Sequence, residues 1–192
     1  MPREYVLKRR AELQERTRQR IIDAAIELHQ TVGPRATTIS EIAERAGVGR
    51  VTVYRHFPDE MALGLACSGK YFSEHSFPDL AAWGTIGEPA QRLRTGLRET
   101  YAYHRQTQAM TSHVLADGRH HPLMAPYHDY WSRAGEVLLE PWQARGSRKQ
   151  LLRAAIAVAL SFDTWRTMAI EQQLRDDQAA DLMFRLTCDC HM

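Results

Sequence analysis

The stretch TTISEIAERAGVGRVTVYRHF, Thr37 to Phe57, closes on Tyr54, Arg55 and His56, hydrogen-bonding side chains that so short a helix does not need for a core. Earlier in the stretch, Ala43, Gly47 and Val53 fall in the spacing A-x3-G-x5-V. That spacing suits two short helices crossing at a tight turn. Ala43 lets the backbones approach, Gly47 takes a positive φ at little cost, and Val53 locks the second helix onto the first. Ile42, Val48 and Val53 then hold the unit together while Arg50, Thr52, Tyr54 and His56 project from other faces. The second helix of a helix-turn-helix enters the major groove of duplex DNA and offers its N-terminal residues to base edges.

The elements that must position these groups are helical. Ile21, Ile22, Ala25, Leu28 and Val32 recur at helical spacing and stop at Gly33-Pro34. Ile39, Ile42, Ala43 and Ala46 mark a shorter helix that opens on Thr38 and Glu41, the two ends of a capping box. Val48, Val51, Tyr54 and Phe57 mark a third. Pro58 breaks the chain, and Asp59 caps a fourth helix running through Met61, Leu65 and Tyr71. Residues 75–89 read as a loop, rich in Pro and Gly. Leu93, Leu97, Tyr101 and His104 line a further helix, followed by a shorter piece over 107–116. Leu123, Tyr127, Trp131, Ala134 and Leu138 stripe the next. Over 148–172 there are two apolar rows: Leu151, Ala155, Val158, Phe162 and Trp165, and Leu152, Ile156 and Leu160. One helix buried on two sides is expected there, with a last helix over 177–187. Strand signals are confined to the short VTV at 51–53. The pattern predicts an all-α chain: a helix-turn-helix domain over 1–58 and a helical bundle over 59–192.

In Thr38, Ile42, Ala43, Ala46, Gly47, Val48, Thr52, Tyr54, His56 and Phe57 the chain resembles the DNA-binding domain of the tetracycline-repressor (TetR) family of transcriptional regulators. The motif-level similarity covers roughly residues 16–65. The resemblance implies that Thr38 bonds a phosphate, that Tyr54 and His56 grip the DNA backbone, and that Arg50, Val51 and Thr52 read bases. Their chemistry is consistent: an arginine donates twice to guanine O6 and N7, and valine or threonine touches a thymine methyl. Two positions depart from the family pattern. Gly49 stands at the N-cap of the recognition helix where serine is common, and Glu60 stands where a phosphate-facing lysine is common. The basic run Arg3, Lys8, Arg9, Arg10, Arg16, Arg18 and Arg20 offers compensation, or is a solvated arm.

One recognition helix contacts few bases. Two of them, about 34–36 Å apart, read a palindrome, which calls for a homodimer. Leu151, Ala155, Val158, Leu182 and Leu186 are the candidate interface, as a four-helix contact between subunits; burial within one subunit is the alternative. The resemblance also implies a cavity for a small-molecule effector. Its candidate lining is Trp83, Tyr101, His104, His113, Tyr127, Trp131, Phe162, Asp163 and Trp165, a set that also reads as plain core. Asp163 either pairs with Arg166 or meets a polar group of the ligand. Aromatic walls with few polar groups favour a small, mostly apolar organic molecule.

Composition narrows the rest. Residues 1–58 hold 11 Lys and Arg against 7 Asp and Glu, and residues 59–192 hold 14 against 16, so the front is the end suited to a polyanion. No apolar run reaches membrane-spanning length, and residues 1–20 contain no secretory apolar core. Three cysteines (Cys67, Cys188 and Cys190) suit a reduced compartment, and a cytoplasmic location is expected. Hydrolytic, zinc, phosphate and dinucleotide chemistry have the signatures G-x-S-x-G, H-E-x-x-H, G-x-x-x-x-G-K-[ST] and G-x-G-x-x-G. None occurs, so neither enzymatic activity nor a cofactor is expected. A dimeric repressor released from a palindromic operator by its effector is the leading reading. The rivals are a metal-responsive repressor using Cys188, Cys190 and His191, and a helical protein–protein adaptor.

Overall fold

The structure is a computed structural model that describes residues 3–189. Among these the regular elements are helices: α1 (Arg3–Thr31), α2 (Ile39–Arg45), α3 (Arg50–His56), α4 (Glu60–Glu74), α5 (Leu80–Gly84), α6 (Pro89–Gly118), α7 (Ala125–Leu139), α8 (Gly146–Leu160), α9 (Phe162–Arg166) and α10 (Asp176–Asp189). A π-helical turn over Thr167–Glu171 follows α9. The fold is all-α, and no helix among the described residues is long and apolar enough to cross a membrane.

The chain divides into two compact units. The front unit runs to Glu74 and also takes in Ala109–Leu123; the rear unit is His75–Gln108 with the chain from Met124 onward. The front unit therefore runs past residue 58, and α6 contributes residues to both.

In the front unit, α1 is exposed along Leu7–Arg16, and its buried face begins at Ile21 and includes Ile22, Ala25 and Leu28. Gly33, at φ +91°, ends the helix with its N–H on the Leu28 carbonyl. Val32, expected in the core row, is exposed because it lies past the last helical residue. In α4 the buried row is Leu63, Cys67 and Tyr71. Met61 and Leu65 point outward instead, since the buried face of the helix runs through Leu63, Cys67 and Tyr71, where the cysteine serves as a small apolar group. The Asp59 carboxylate does cap α4, accepting from the Ala62 N–H at 2.7 Å.

Beyond α4 three expectations change. The segment 75–89 contains α5, whose first amides, Ala81 and Ala82, are capped by Asp79 and which carries the fully buried Trp83. The piece expected over 107–116 is part of α6, which continues unbroken because nothing in the chain interrupts it before Gly118. The single helix expected over 148–172 breaks at Ser161, whose backbone is extended (φ −67°, ψ 135°). The break splits the row predicted to be continuous. Leu151 and Val158 face outward while Phe162 and Trp165 are buried. It also frees the last carbonyls of α8. The Tyr101 hydroxyl donates to Ala159 O at 3.1 Å, and His104 Nε2 donates to Leu160 O at 3.0 Å. Two polar side chains of α6 thus satisfy acceptors that a continuous helix would have paired itself.

Candidate functional site

The helix-turn-helix forms as its residues dictate. At the start of α2, Thr38 Oγ1 accepts from the Glu41 N–H, while Glu41 Oε2 accepts from the Thr38 N–H at 2.8 Å and its hydroxyl at 2.7 Å. These bonds hold the Glu41 carboxyl below the usual carboxylate range. The turn follows at Gly47, φ +64°, where a side chain is excluded by conformation rather than crowding: a built Cβ meets nothing nearer than Arg20 Nη1 at 3.8 Å. Gly49 is the N-cap of α3 and supplies no side-chain bond.

α3 is seven residues long and is pinned by Val53, fully buried, and by Phe57 just past its end. The Arg18 guanidinium lies over the Phe57 ring at 5.1 Å, which ties α1 to the end of α3. Everything else on α3 turns outward. Val51 is 81% exposed and Tyr54 54% exposed, Arg50 and Arg55 are exposed, and Thr52 and His56 are half-buried. Of the apolar row Val48, Val51, Tyr54 and Phe57 expected from the sequence, only Phe57 is buried, with Val48 half-buried and the other two at the surface. An isolated, uncovered valine between two arginines and a tyrosine is the surface that base-edge and phosphate contacts require. Arg50, Val51, Thr52, Tyr54 and His56 share α3, and Thr38 caps α2 beside it.

The end of α1 meets the end of α6 inside this same unit. The Arg35 N–H donates to Asp117 Oδ2 at 2.9 Å, and a Cβ on Gly33 would lie 2.6 Å from that oxygen and 3.2 Å from His113 Nδ1. His113, expected in the effector site, belongs to this contact in the front unit.

The rear unit gathers most of the remaining aromatic candidates. His104 lies 5.0 Å from Trp131, 5.4 Å from Phe162 and 5.9 Å from Trp165 between ring centroids, and Tyr127 is 6.1 Å from Trp131. Tyr101 adjoins His104 at 6.3 Å. Three more rings belong to the cluster and were not singled out from the sequence: Phe77, Tyr103 and Tyr130. Phe77 sat in what read as a loop; Tyr103 and Tyr130 stand one position off the rows counted. Burial pushes the His104 imidazole down to about 4, with the Leu160 carbonyl and Asp176 working the other way. Two candidates are engaged elsewhere. Trp83 Nε1 donates to Glu99 at 2.7 Å, and Asp163 pairs with Arg166 at 3.6 Å on the surface.

On α8 and α10, Leu151 is 62% exposed, Val158 54%, and Leu182 and Leu186 are also exposed, with Ala155 half-buried. Of the possible metal ligands at the C-terminus, Cys188 is half-buried with its thiol pushed up by burial, while Cys190 and His191 lie outside the described residues. Among the described residues, no three His, Cys, Asp or Glu side chains are grouped to hold a metal ion.

Residues 21–67 match the family of bacterial regulatory proteins named tetR. An uncharacterized HTH-type transcriptional regulator of Bacillus subtilis, YvkB, is 47% identical over 60 residues, 31% of this chain and 30% of that protein. The alignment thus spans less than a third of either sequence. A TetR-like transcriptional regulator from Rhodococcus sp. RHA1 superposes at TM-score 0.65 and 20% identity, over 89% of this chain and 93% of its own. LfrR of Mycobacterium smegmatis, solved in complex with proflavine, superposes at 0.51 and 22% identity, over 94% and 98%. At these identities the likeness beyond the helix-turn-helix is one of fold.

Proposed function

We propose that this chain, which belongs to the tetR family of bacterial regulatory proteins, is a dimeric transcriptional repressor released from a palindromic operator by a small, mostly apolar organic ligand. The observation that carries the reading is α3. It is a recognition helix pinned by Val53 and Phe57, with Arg50, Val51 and Tyr54 left uncovered. Arg50, Val51 and Thr52 read base edges from its first turn, and Tyr54, His56 and Thr38 hold phosphates. In the structure the Thr38 hydroxyl donates to Glu41, so binding a phosphate there requires that bond to swing away.

Dimerisation uses the exposed apolar side chains of α8 and α10, Leu151, Val158, Leu182 and Leu186, with Ala155 between them. Two helices from each subunit bury these groups against their copies. The effector occupies the rear aromatic cluster of Tyr101, His104, Tyr127, Trp131, Phe162 and Trp165; the proflavine held by LfrR is a precedent in fold for a flat aromatic ligand. Ligand binding favours a spacing of the two heads that misses successive major grooves, a coupling of about 1–3 kcal/mol.

Selection of bound duplexes from a random pool, followed by fluorescence anisotropy at rising salt, tests this. A two-fold symmetric consensus is expected, with Arg50→Ala relaxing one position in each half-site by about 1–3 kcal/mol. Absence of duplex binding at low salt sinks the proposal, as the adaptor reading would have it.

A further inference from the structure

The rear unit contains a donor and an acceptor with nothing to bond. His104 is fully buried, and with Nε2 given to the Leu160 carbonyl its Nδ1 has no partner. Burial keeps the ring neutral near pH 7, so Nδ1 presents a lone pair. The neighbouring Trp131, 5.0 Å away between centroids, has a buried Nε1–H that also lacks a partner. Buried polar groups in native proteins are satisfied about nine times in ten. Two unmet groups of opposite kind on adjacent rings therefore ask for a common partner. One hydroxyl answers both, since it accepts from an N–H and donates to an imidazole nitrogen.

A flat slot adjoins them. The rings of Tyr103, on α6, and Tyr130, on α7, are both stacked on Phe77, at 5.0 Å with an interplanar angle of 28° and at 4.1 Å with 17°. Trp131 meets Phe77 edge-on at 6.1 Å and so touches both the slot and His104. Phe77 does not come from a helix. It belongs to the non-helical segment 75–79, where the chain first passes from the front unit to the rear, and lies only three residues after α4 ends. A ring brought in by an irregular strand of chain, half-buried where Tyr103, Tyr127 and Tyr130 are buried, is the part of this cluster that leaves at least cost.

We infer that Phe77 is an internal stand-in for the effector: the ligand is a small, neutral, planar aromatic bearing a hydroxyl, which takes the place of the Phe77 ring and bonds Trp131 Nε1 and His104 Nδ1. The inference rests on the rear unit being the effector site and names the chemistry that fits it. An anionic carboxylate is disfavoured, because it would bring a desolvated charge and a second acceptor to the His104 lone pair. Expulsion of Phe77 acts directly on the link that follows α4, which supplies the ligand with a differential effect on two states of the chain.

The test uses the full chain and three probes: p-ethylphenol, ethylbenzene and p-ethylbenzoate, followed by calorimetry without DNA. The phenol should bind about tenfold or more tightly than ethylbenzene, a difference of the order of a hydrogen-bonded pair left unmet. The benzoate should be the weakest. Phe77→Ala should bind the phenol about tenfold more tightly than wild type, since the competing stack is gone. Phe77→Leu should do so to a smaller degree, and serves if the alanine variant does not fold. Trp131→Phe, which keeps a ring and loses the donor but leaves His104 Nδ1 to accept the hydroxyl proton, should narrow the preference for phenol over ethylbenzene without abolishing it. Unchanged or weaker phenol binding in both Phe77 variants overturns the inference, as does equal affinity of wild type for phenol and ethylbenzene. Duplex release is read separately by anisotropy. Tighter phenol binding in Phe77→Ala without any effect on DNA supports the site's chemistry and removes ligand-induced derepression instead.

Discussion

Tyr54 and Tyr101 are the same residue type on helices of the same protein, and their surroundings are opposite. Tyr54 stands on α3 with more than half its surface in solvent, beside an uncovered valine and two arginines. Tyr101 is fully enclosed on α6 and gives its hydroxyl to the end of α8. The front unit holds α3 through Val53 and Phe57 and leaves most of its other side chains outside, the presentation that the proposed contact with a rigid polyanion would require. The rear unit encloses its aromatic and polar groups and uses Tyr101 and His104 to secure a broken helix. Presentation is local and legible from one short helix; enclosure depends on elements far apart in the chain.

The largest expected effect tests the enclosed side. The unfolded chain titrates His104 near the ordinary imidazole value of about 6.5, whereas the folded ring stays neutral down to about 4. Between those values the unfolded state binds the extra proton, so stability is complete above about 6.5 and is lost as the pH falls towards 4. The full loss from this one group is about 3 kcal/mol. Urea unfolding at pH 7 and pH 5 should therefore show a decline that His104→Gln reduces, since glutamine still offers Leu160 a donor and takes up no proton. An equal decline in the variant would place the acid sensitivity elsewhere and erase this part of the contrast.

The next effect compares the two tyrosines directly. Tyr101→Phe leaves the buried Ala159 carbonyl without its donor and should cost about 1–3 kcal/mol in urea unfolding. Tyr54→Phe should change stability by less than about 0.5 kcal/mol, as surface substitutions do. Its effect should fall instead on duplex affinity, equally for every sequence, because a phosphate contact carries no base information. Should the two substitutions destabilise the protein alike, Tyr54 would be a core residue and the outward face of α3 would lose a member.

The front unit was the more legible because its signals are short-range. The capping box at Thr38 and Glu41, the positive φ at Gly47 and the Asp59 cap each depend on residues three or four apart, and each is present. Burial at three-residue spacing was less reliable even there: the stripe through Val51 and Tyr54 suggested a buried face, and both are exposed. In the rear, Leu93, Leu97, Tyr101 and His104 do form one fully buried row on α6. The break at Ser161 was not legible, because a serine favours N-caps but does not by itself end a helix whose apolar rows continue on both sides of it. What fixes the break is two hydrogen bonds from residues more than fifty positions away. Phe77 escaped for a similar reason. A ring in a Pro-rich irregular segment carries no periodicity, and its place between Tyr103 and Tyr130 follows from tertiary packing.

The smallest effects separate the two short helices of the front unit. Thr38→Ala removes the hydroxyl half of the capping box, leaving its backbone N–H on Glu41, and should destabilise by about 1 kcal/mol. At the start of α3 the opposite change is available. Gly49 has φ −82° and open space around its missing Cβ, so Gly49→Ser introduces an N-cap acceptor without strain. The gain should be roughly 0.3 kcal/mol, within reach of paired urea curves. Its value is diagnostic. If α3 is preformed by Val53 and Phe57, a better cap adds only those tenths and leaves duplex affinity where it was. If α3 instead orders on meeting DNA, the same serine pre-pays part of that ordering and tightens binding at every sequence by the full stabilisation it provides.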